Sequence, residues 1–141
     1  MEILIDLMNR KNSFLEKFYT INEAELLNFS SDDFGNLESF YQCRENILRL
    51  IGRIDEQLDD HLKSIDTNLS REVIMQIQTC LDKKDEWAKK IVDQDLQIIS
   101  AIEKKKSGII TELKSVQNTR KLNSAYTTNT SRARQKVNEK A

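Results

Sequence analysis

The sequence contains no proline and only three glycines in 141 residues. Average usage would supply roughly ten glycines and seven prolines in a chain of this length. Tight turns and phosphate-binding loops depend on these residues, so a β-sandwich, a Rossmann unit or a P-loop nucleotide enzyme is disfavoured. The shortage favours long helices joined by few turns.

Residues that bind metals or act as nucleophiles are also scarce. His61 is the only histidine, and position 58 is a leucine, so the Glu-x-x-His pattern of di-iron bundles is missing, as is any zinc-ligand spacing. Four acids at i, i+4 spacing could form a carboxylate site, but like charges on an exposed helix face are usually solvated. They are Asp55, Glu56, Asp59 and Asp60. We predict no catalytic residue, no metal and no cofactor, with His61 as a solvated or half-buried helix residue.

The sequence predicts neither an export signal nor a membrane-spanning segment. Glu2 stands where a signal peptide needs positive charge, and no run of 18 or more apolar residues is present to span a bilayer. We therefore expect a soluble, cytoplasmic protein in which Cys43 and Cys80 stay reduced. Leu, Ile, Val and Phe supply 39 residues, which is enough for the core of one domain.

Apolar residues recur at three- and four-residue steps in three stretches, which predicts helices at about 2–29, 33–66 and 70–122. The cluster Ser30–Asp33 offers N-cap residues for the second helix, and Ser70 offers one for the third. The inward-facing residues predicted for the second helix are Phe40, Ile47, Ile51, Ile54, Leu58, Leu62 and Ile65. Those predicted for the third are Ile77, Leu81, Ala88, Ile91, Ile98, Ile102, Ile109, Leu113 and Val116.

The region after Tyr126 is polar and has no apolar period. Residues 120–141 hold six basic residues and one acid, whereas the rest of the chain is net acidic. We predict one helical domain over 1–126 and a disordered basic tail over 127–141. The tail could neutralise phosphates, but it lacks interleaved aromatics, which favours a solubilising role over a nucleic-acid partner.

The lengths of the helices lead to a prediction about binding. In an antiparallel hairpin that turns near Asn68, residues 34 and 102 lie at the same height, and about 20 residues of the third helix extend beyond it, about 30 Å at 1.5 Å per residue. The overall expectation is an all-α, antiparallel three-helix bundle with a long C-terminal helix. One side of the extension is apolar, and an exposed stripe of this kind is typical of a docking surface for a partner's amphipathic helix. The predicted partner-binding residues are Ile102, Ile109, Ile110, Leu113 and Val116.

The same mapping bears on two other features. It separates Cys43 from Cys80 by about 20 Å, too far for a disulfide. Trp87 could stack on a ligand, but a simpler interpretation is that it covers the bundle near Leu48 and Ile51.

Three segments of the chain together resemble the helices of a known family. The first is KNSFLEKFYTINEAELLNF, at 11–29, and the second is DFGNLESFYQCRENILRLIGRID, at 33–55, with Leu37 and Tyr41 facing inward. The third is DLQIISAIEKKKSGIITELKSVQNTRKLNSAY, at 95–126. They resemble, in that order, the first helix, the second helix and the end of the long last helix of flagellar export chaperones of the FlgN/FliT type. Gly108 and the tail after Tyr126 depart from the family pattern.

The resemblance implies a cytoplasmic chaperone of flagellar type III secretion. Such chaperones bind the C-terminal helices of late filament, hook-filament junction or cap proteins and escort them to the export gate and its ATPase. Junction clients belong to the FlgN branch and the cap to the FliT branch, and both branches stay open here. A self-associating coiled-coil protein, whose third helix pairs with its own copy in a homodimer, is the alternative. An enzyme has only the undiagnostic carboxylates in its favour.

Overall fold

A computed structural model gives the fold and describes residues 2–65 and 68–140, with side chains described as far as Lys121. Three α-helices make up this part of the chain, and no strand occurs in it. They are α1 (Glu2–Ser30), α2 (Leu37–Lys63) and α3 (Arg71–Lys140). The all-α prediction is therefore confirmed. The chain divides into two units, Met1–Ile99 and Ser100–Ala141, with the boundary inside α3.

The helices of the first unit form an antiparallel up-down-up bundle. Arg44 of α2 bonds to Asn22 of α1 and to Asp95 of α3, so all three helices meet at that height. The predicted hairpin mapping placed residue 92 opposite residue 44, three residues from the observed partner. Lys11 and Asp55, 2.7 Å apart, tie α1 to α2 further along.

The apolar core of the bundle lies midway along these helices. Phe18 of α1, Ile47 and Ile51 of α2, and Ile91 of α3 form the buried cluster. Trp87 packs against it and its ring lies 5.3 Å from that of Tyr19. The interpretation of Trp87 as a bundle residue is thus confirmed, although Leu48 itself is exposed.

The buried and half-buried residues of each helix recur every three or four positions. Some residues predicted to face the core do not lie at these positions. On α3 the inward positions are Ile77, Cys80, Lys84, Trp87, Ile91, Gln94 and Ile98. Ile109, Leu113 and Val116, predicted as inward-facing residues of α3, are exposed. The prediction was also wrong for Leu81 and Ala88, one position past this stripe of α3, and for Tyr41 and Leu62 of α2, which are all exposed. It failed because it followed apolar residue types, whereas the helix geometry turns Cys80, Trp87 and the half-buried His61 inward instead.

The end of α1 explains a second correction. The Asp33 N–H donates to the Asn28 carbonyl (2.9 Å) and the Asp32 N–H to that of Phe29 (3.0 Å), while Asp32 has a left-handed φ of 57°. These features define a Schellman motif, and the rings of Phe29 and Phe34 stack across it at 4.5 Å. The Ser/Asp cluster therefore terminates α1.

The second helix consequently starts later than predicted. The carboxylate of Asp33 accepts the Gly35 N–H at 3.0 Å within the turn. Asn36 is the N-cap, and α2 begins at Leu37 instead of 33. It ends at Lys63, and residues 66 and 67 lie outside the described part.

The start of α3 agrees with the sequence. Ser70 Oγ accepts the Val73 N–H at 3.3 Å, which confirms the predicted N-cap. The helix ends at Lys140, later than the predicted residue 122. Residues 123–140 contain neither glycine nor proline. The predicted disordered tail over 127–141 lies beyond the side chains that the structure describes, and it stays a prediction.

Candidate functional site

The predicted docking residues all lie on α3 in the second unit. Ile109, Leu113 and Val116 are spaced i, i+4 and i+7, which places them on one side of the helix, with Ile110 beside them. Their exposed fractions are 46 %, 56 % and 46 %, with 43 % for Ile110. We call Ile109, Ile110, Leu113 and Val116 the α3 stripe. Ile102, the fifth predicted residue, is half-buried.

The α3 stripe lies in a solvated part of the helix. Every described residue from Lys106 to Lys121 is exposed. The hydroxyls of Thr111 and Thr119 donate to the carbonyls of Ser107 and Ser115, at 2.9 and 3.0 Å. These two hydroxyls are engaged by the backbone of their own helix.

Gly108 immediately precedes the stripe. A Cβ built on it would meet nothing within 4 Å, and its φ is not positive. Neither packing nor backbone conformation therefore requires glycine at this position. A glycine inside a helix costs about 1 kcal/mol relative to alanine, so α3 is locally weaker here.

A polar layer crosses the bundle of the first unit, and sequence reasoning missed it. Asn22 is fully buried; its Nδ2 donates to Gln94 Oε1 at 3.0 Å, and its Oδ1 accepts from Arg44 at 3.3 Å. Gln94 Nε2 donates in turn to the Tyr19 carbonyl (3.0 Å) and to Glu23 Oε1 (2.8 Å). The signal was present in the sequence, because Asn22 and Gln94 occupy inward positions of the three- and four-residue step.

Arg44 completes the polar layer from α2. Its Nη2 lies 2.9 Å from Asp95 Oδ1, and its guanidinium carbon lies 4.7 Å and 5.2 Å from the ring centres of Phe18 and Phe40. The cation is thus paired with a carboxylate and covered by two aromatic rings. This arrangement holds the three helices together.

Two further buried polar residues lie on α1. Asn12 Nδ2 donates to the Cys80 carbonyl at 3.0 Å, and Glu25 Oε2 accepts from Asn28 at 3.4 Å. Asn12 Oδ1 and Glu25 Oε1 have no hydrogen-bond partner. The side chain of each residue therefore has one hydrogen-bonding atom with a partner and one oxygen without.

The structure does not bring the sequence-derived chemical candidates together. Cys43 is exposed and Cys80 is buried, and both thiols are free. Asp55, from the acidic cluster, pairs with Lys11. Across the described residues, no group of three or more His, Cys, Asp or Glu side chains is placed to hold a metal ion. In the same part of the chain, none of the helices has a stretch apolar and long enough to cross a membrane.

Comparisons of the chain with family models, with curated proteins and with solved structures gave no match. The function is therefore inferred from the residues of this chain.

Proposed function

We propose that this protein is a cytoplasmic flagellar export chaperone. In this role it binds the C-terminal helix of a late filament, hook-filament junction or cap protein and escorts that client to the type III export gate or its ATPase. It acts by binding and not by catalysis. The α3 stripe is the contact surface for the client helix.

The observation that carries the proposal is the exposure of the α3 stripe. Four aliphatic side chains within eight residues are each more than two-fifths exposed on a helix that otherwise bears charged and polar groups there. Burying an aliphatic side chain of this size stabilises by roughly 1.5–3 kcal/mol, so a docked helix gains several kcal/mol before the costs of association. The i, i+4, i+7 spacing matches the anchors that amphipathic helices present to one another.

The resemblance to the FlgN/FliT family supplies the identity of the client. The first and third similar segments lie within α1 and α3, and the second covers the end of the α1–α2 turn and most of α2. The third contains the whole α3 stripe. An all-α bundle with a long last helix is compatible with that family.

The proposal is tested by measuring binding of the full-length protein to peptides from the C-terminal helices of junction and cap proteins. Leu113→Asp should weaken binding to the cognate peptide at least about tenfold, equivalent to about 1.4 kcal/mol. Leu96→Asp is the matched control, because Leu96 is an equally exposed leucine of α3 in the first unit. Binding that both variants weaken equally, or no binding of any such peptide, would contradict the proposal.

A self-associating coiled coil is the second candidate. The seven-residue spacing of Ile102, Ile109 and Val116 favours it, because that repeat is typical of helices that pair in a coiled coil. In this case the wild type sediments as a dimer and Leu113→Asp sediments as a monomer, while no client peptide binds.

A further inference from the structure

The first unit contains a cavity that the proposed chaperone role does not use. Its volume is about 410 Å³, and it lies between all three helices at the end where α1 begins and α2 ends. Volumes of about 300–1,000 Å³ are typical of sites for small ligands. The cavity is therefore large enough for a ligand and is separate from the α3 stripe.

The wall of the cavity is mostly aliphatic. Residues that line it include Leu4, Met8, Leu58, Leu62, Ile77 and Leu81. Leu62 and Leu81 are exposed, so the cavity opens to solvent on their side, whereas Leu4 is buried. A wall of this kind favours a ligand with a hydrocarbon body.

Two lysines are the charged residues among the described lining. Lys11 Nζ is held by Asp55 at 2.7 Å, whereas Lys84 Nζ lies 3.6 Å from the carboxylate of its chain neighbour Asp85. Lys84 also occupies an inward position of α3 between Cys80 and Trp87, where the helix pattern calls for an apolar residue. A half-buried lysine beside an aliphatic cavity has a flexible stem and a weakly held ammonium group that suits an anionic head group.

We infer that this cavity binds an aliphatic carboxylate. The hydrocarbon chain lies against the leucine and isoleucine side chains, and the carboxylate meets Lys84 at the cavity edge, with Lys11 as a second, already neutralised cation. Charge complementarity with Lys84 favours an anion over an alkyl amine. The aliphatic lining, which comes from all three helices, favours a hydrocarbon chain as the body of the ligand.

Cys80 provides a built-in probe of occupancy. Its side chain is buried and lines the cavity, whereas Cys43 is exposed elsewhere on α2. In full-length protein carrying Cys43→Ser, Cys80 is the single thiol, so its rate of alkylation reports access to the cavity. Decanoate, decanol and decylamine at equal submicellar concentrations then compare three head groups on one chain length.

Decanoate should slow alkylation of Cys80 at least fivefold and raise the thermal midpoint, because it binds the folded state. Decanol should protect less, and decylamine should not protect. Lys84→Gln keeps the stem without the charge and should reduce the effect of decanoate to that of decanol. Leu113→Asp, which tests the client site, should leave the decanoate response unchanged.

Two outcomes would overturn the inference. One is an unchanged alkylation rate with decanoate in protein that circular dichroism shows to be folded. The other is equal protection by all three compounds, which would mean that the cavity binds any hydrocarbon chain and does not discriminate between head groups. In the first case, protection of Cys80 by a client peptide would assign the cavity to a protein side chain.

Discussion

The two parts of α3 have the same kind of apolar spacing but opposite burial. Ile91 and Ile98, in the first unit, are 9 % and 3 % exposed, whereas Ile109 and Leu113, in the second, are about half exposed. The core cluster of α1 and α2 residues accounts for the burial of Ile91. An apolar stripe thus shows which face of a helix favours contact, and only the structure shows whether the chain itself supplies the contact.

The difference sets an expectation for energetics. Substitutions on the buried part of α3 should change the free energy of unfolding, and those on the α3 stripe should change association instead. Four tests compare the bundle of the first unit with the segment of α3 that bears the stripe, from the largest expected effect on stability to the smallest.

Ile91→Asp should have the largest effect. The change puts a carboxylate among Phe18, Ile47 and Ile51, where it has no cationic partner in the cluster. An unpaired buried charge costs several kcal/mol, so the thermal midpoint should fall by at least about 15 °C or the transition should disappear. Thermal melts followed by circular dichroism at 222 nm measure it, and an unchanged midpoint would show that the core is misplaced.

Asn22→Ala should have the next largest effect. It removes two hydrogen bonds in the polar layer and leaves Gln94 Oε1 and the guanidinium of Arg44 short of a partner. The expected loss is about 2 kcal/mol in urea unfolding. Asn46→Ala, at an exposed position of α2, is the matched control and should stay within about 0.5 kcal/mol of wild type. Equal effects of the two variants would argue against the polar layer.

Gly52→Ala should stabilise the bundle modestly. Gly52 lies inside α2, and a Cβ there would meet nothing within 4 Å. The gain should be about 0.5–1 kcal/mol in urea unfolding. Gly108→Ala has the same open surroundings but lies in the second unit, so it should increase amide protection around 108 in hydrogen exchange and leave the bundle transition unchanged. A gain for Gly108→Ala as large as that for Gly52→Ala in urea would mean that the two units unfold together.

Leu113→Asp should have the smallest effect on stability. Its side chain is already mostly in solvent, so the thermal midpoint should stay within a few degrees of wild type. The measurement is the same melt as for Ile91→Asp, which makes the two variants a matched pair on one helix. A fall as large as that of Ile91→Asp would place Leu113 in the core and remove the basis of the docking surface.

Periodicity and the shortage of turn residues were sufficient to predict three helices and the N-cap at Ser70. They were insufficient at the α1–α2 turn, because Asp32 and Asp33 can either cap a new helix or close an old one, and contacts with Asn28 and Phe29 decide between the two. The polar layer was missed because the prediction followed apolar residue types and passed over Asn22 and Gln94.

The candidate site was predicted only in part. Exposure of Ile109, Ile110, Leu113 and Val116 agrees with a docking role, but the exposure of a stripe does not by itself identify the partner. The cavity near Lys84 could not be predicted, because it depends on how three segments that are distant in sequence pack together. In the sequence, Lys84 only interrupts an apolar repeat.

The polar layer also restricts how the helices can align as the chain folds. Three helices with nearly uniform seven-residue spacing can slide past one another by one repeat and still bury apolar side chains. If α3 slid by seven residues, Trp87 or Ala101 would take the place of Gln94 opposite Asn22. Asn22 Nδ2 would then lose Gln94 and Arg44 Nη2 would lose Asp95, which leaves each with an unpaired donor inside the bundle at a cost of about 1–3 kcal/mol. Misaligned bundles are thereby destabilised relative to the native one, and a core built largely from leucine and isoleucine collapses to a single arrangement.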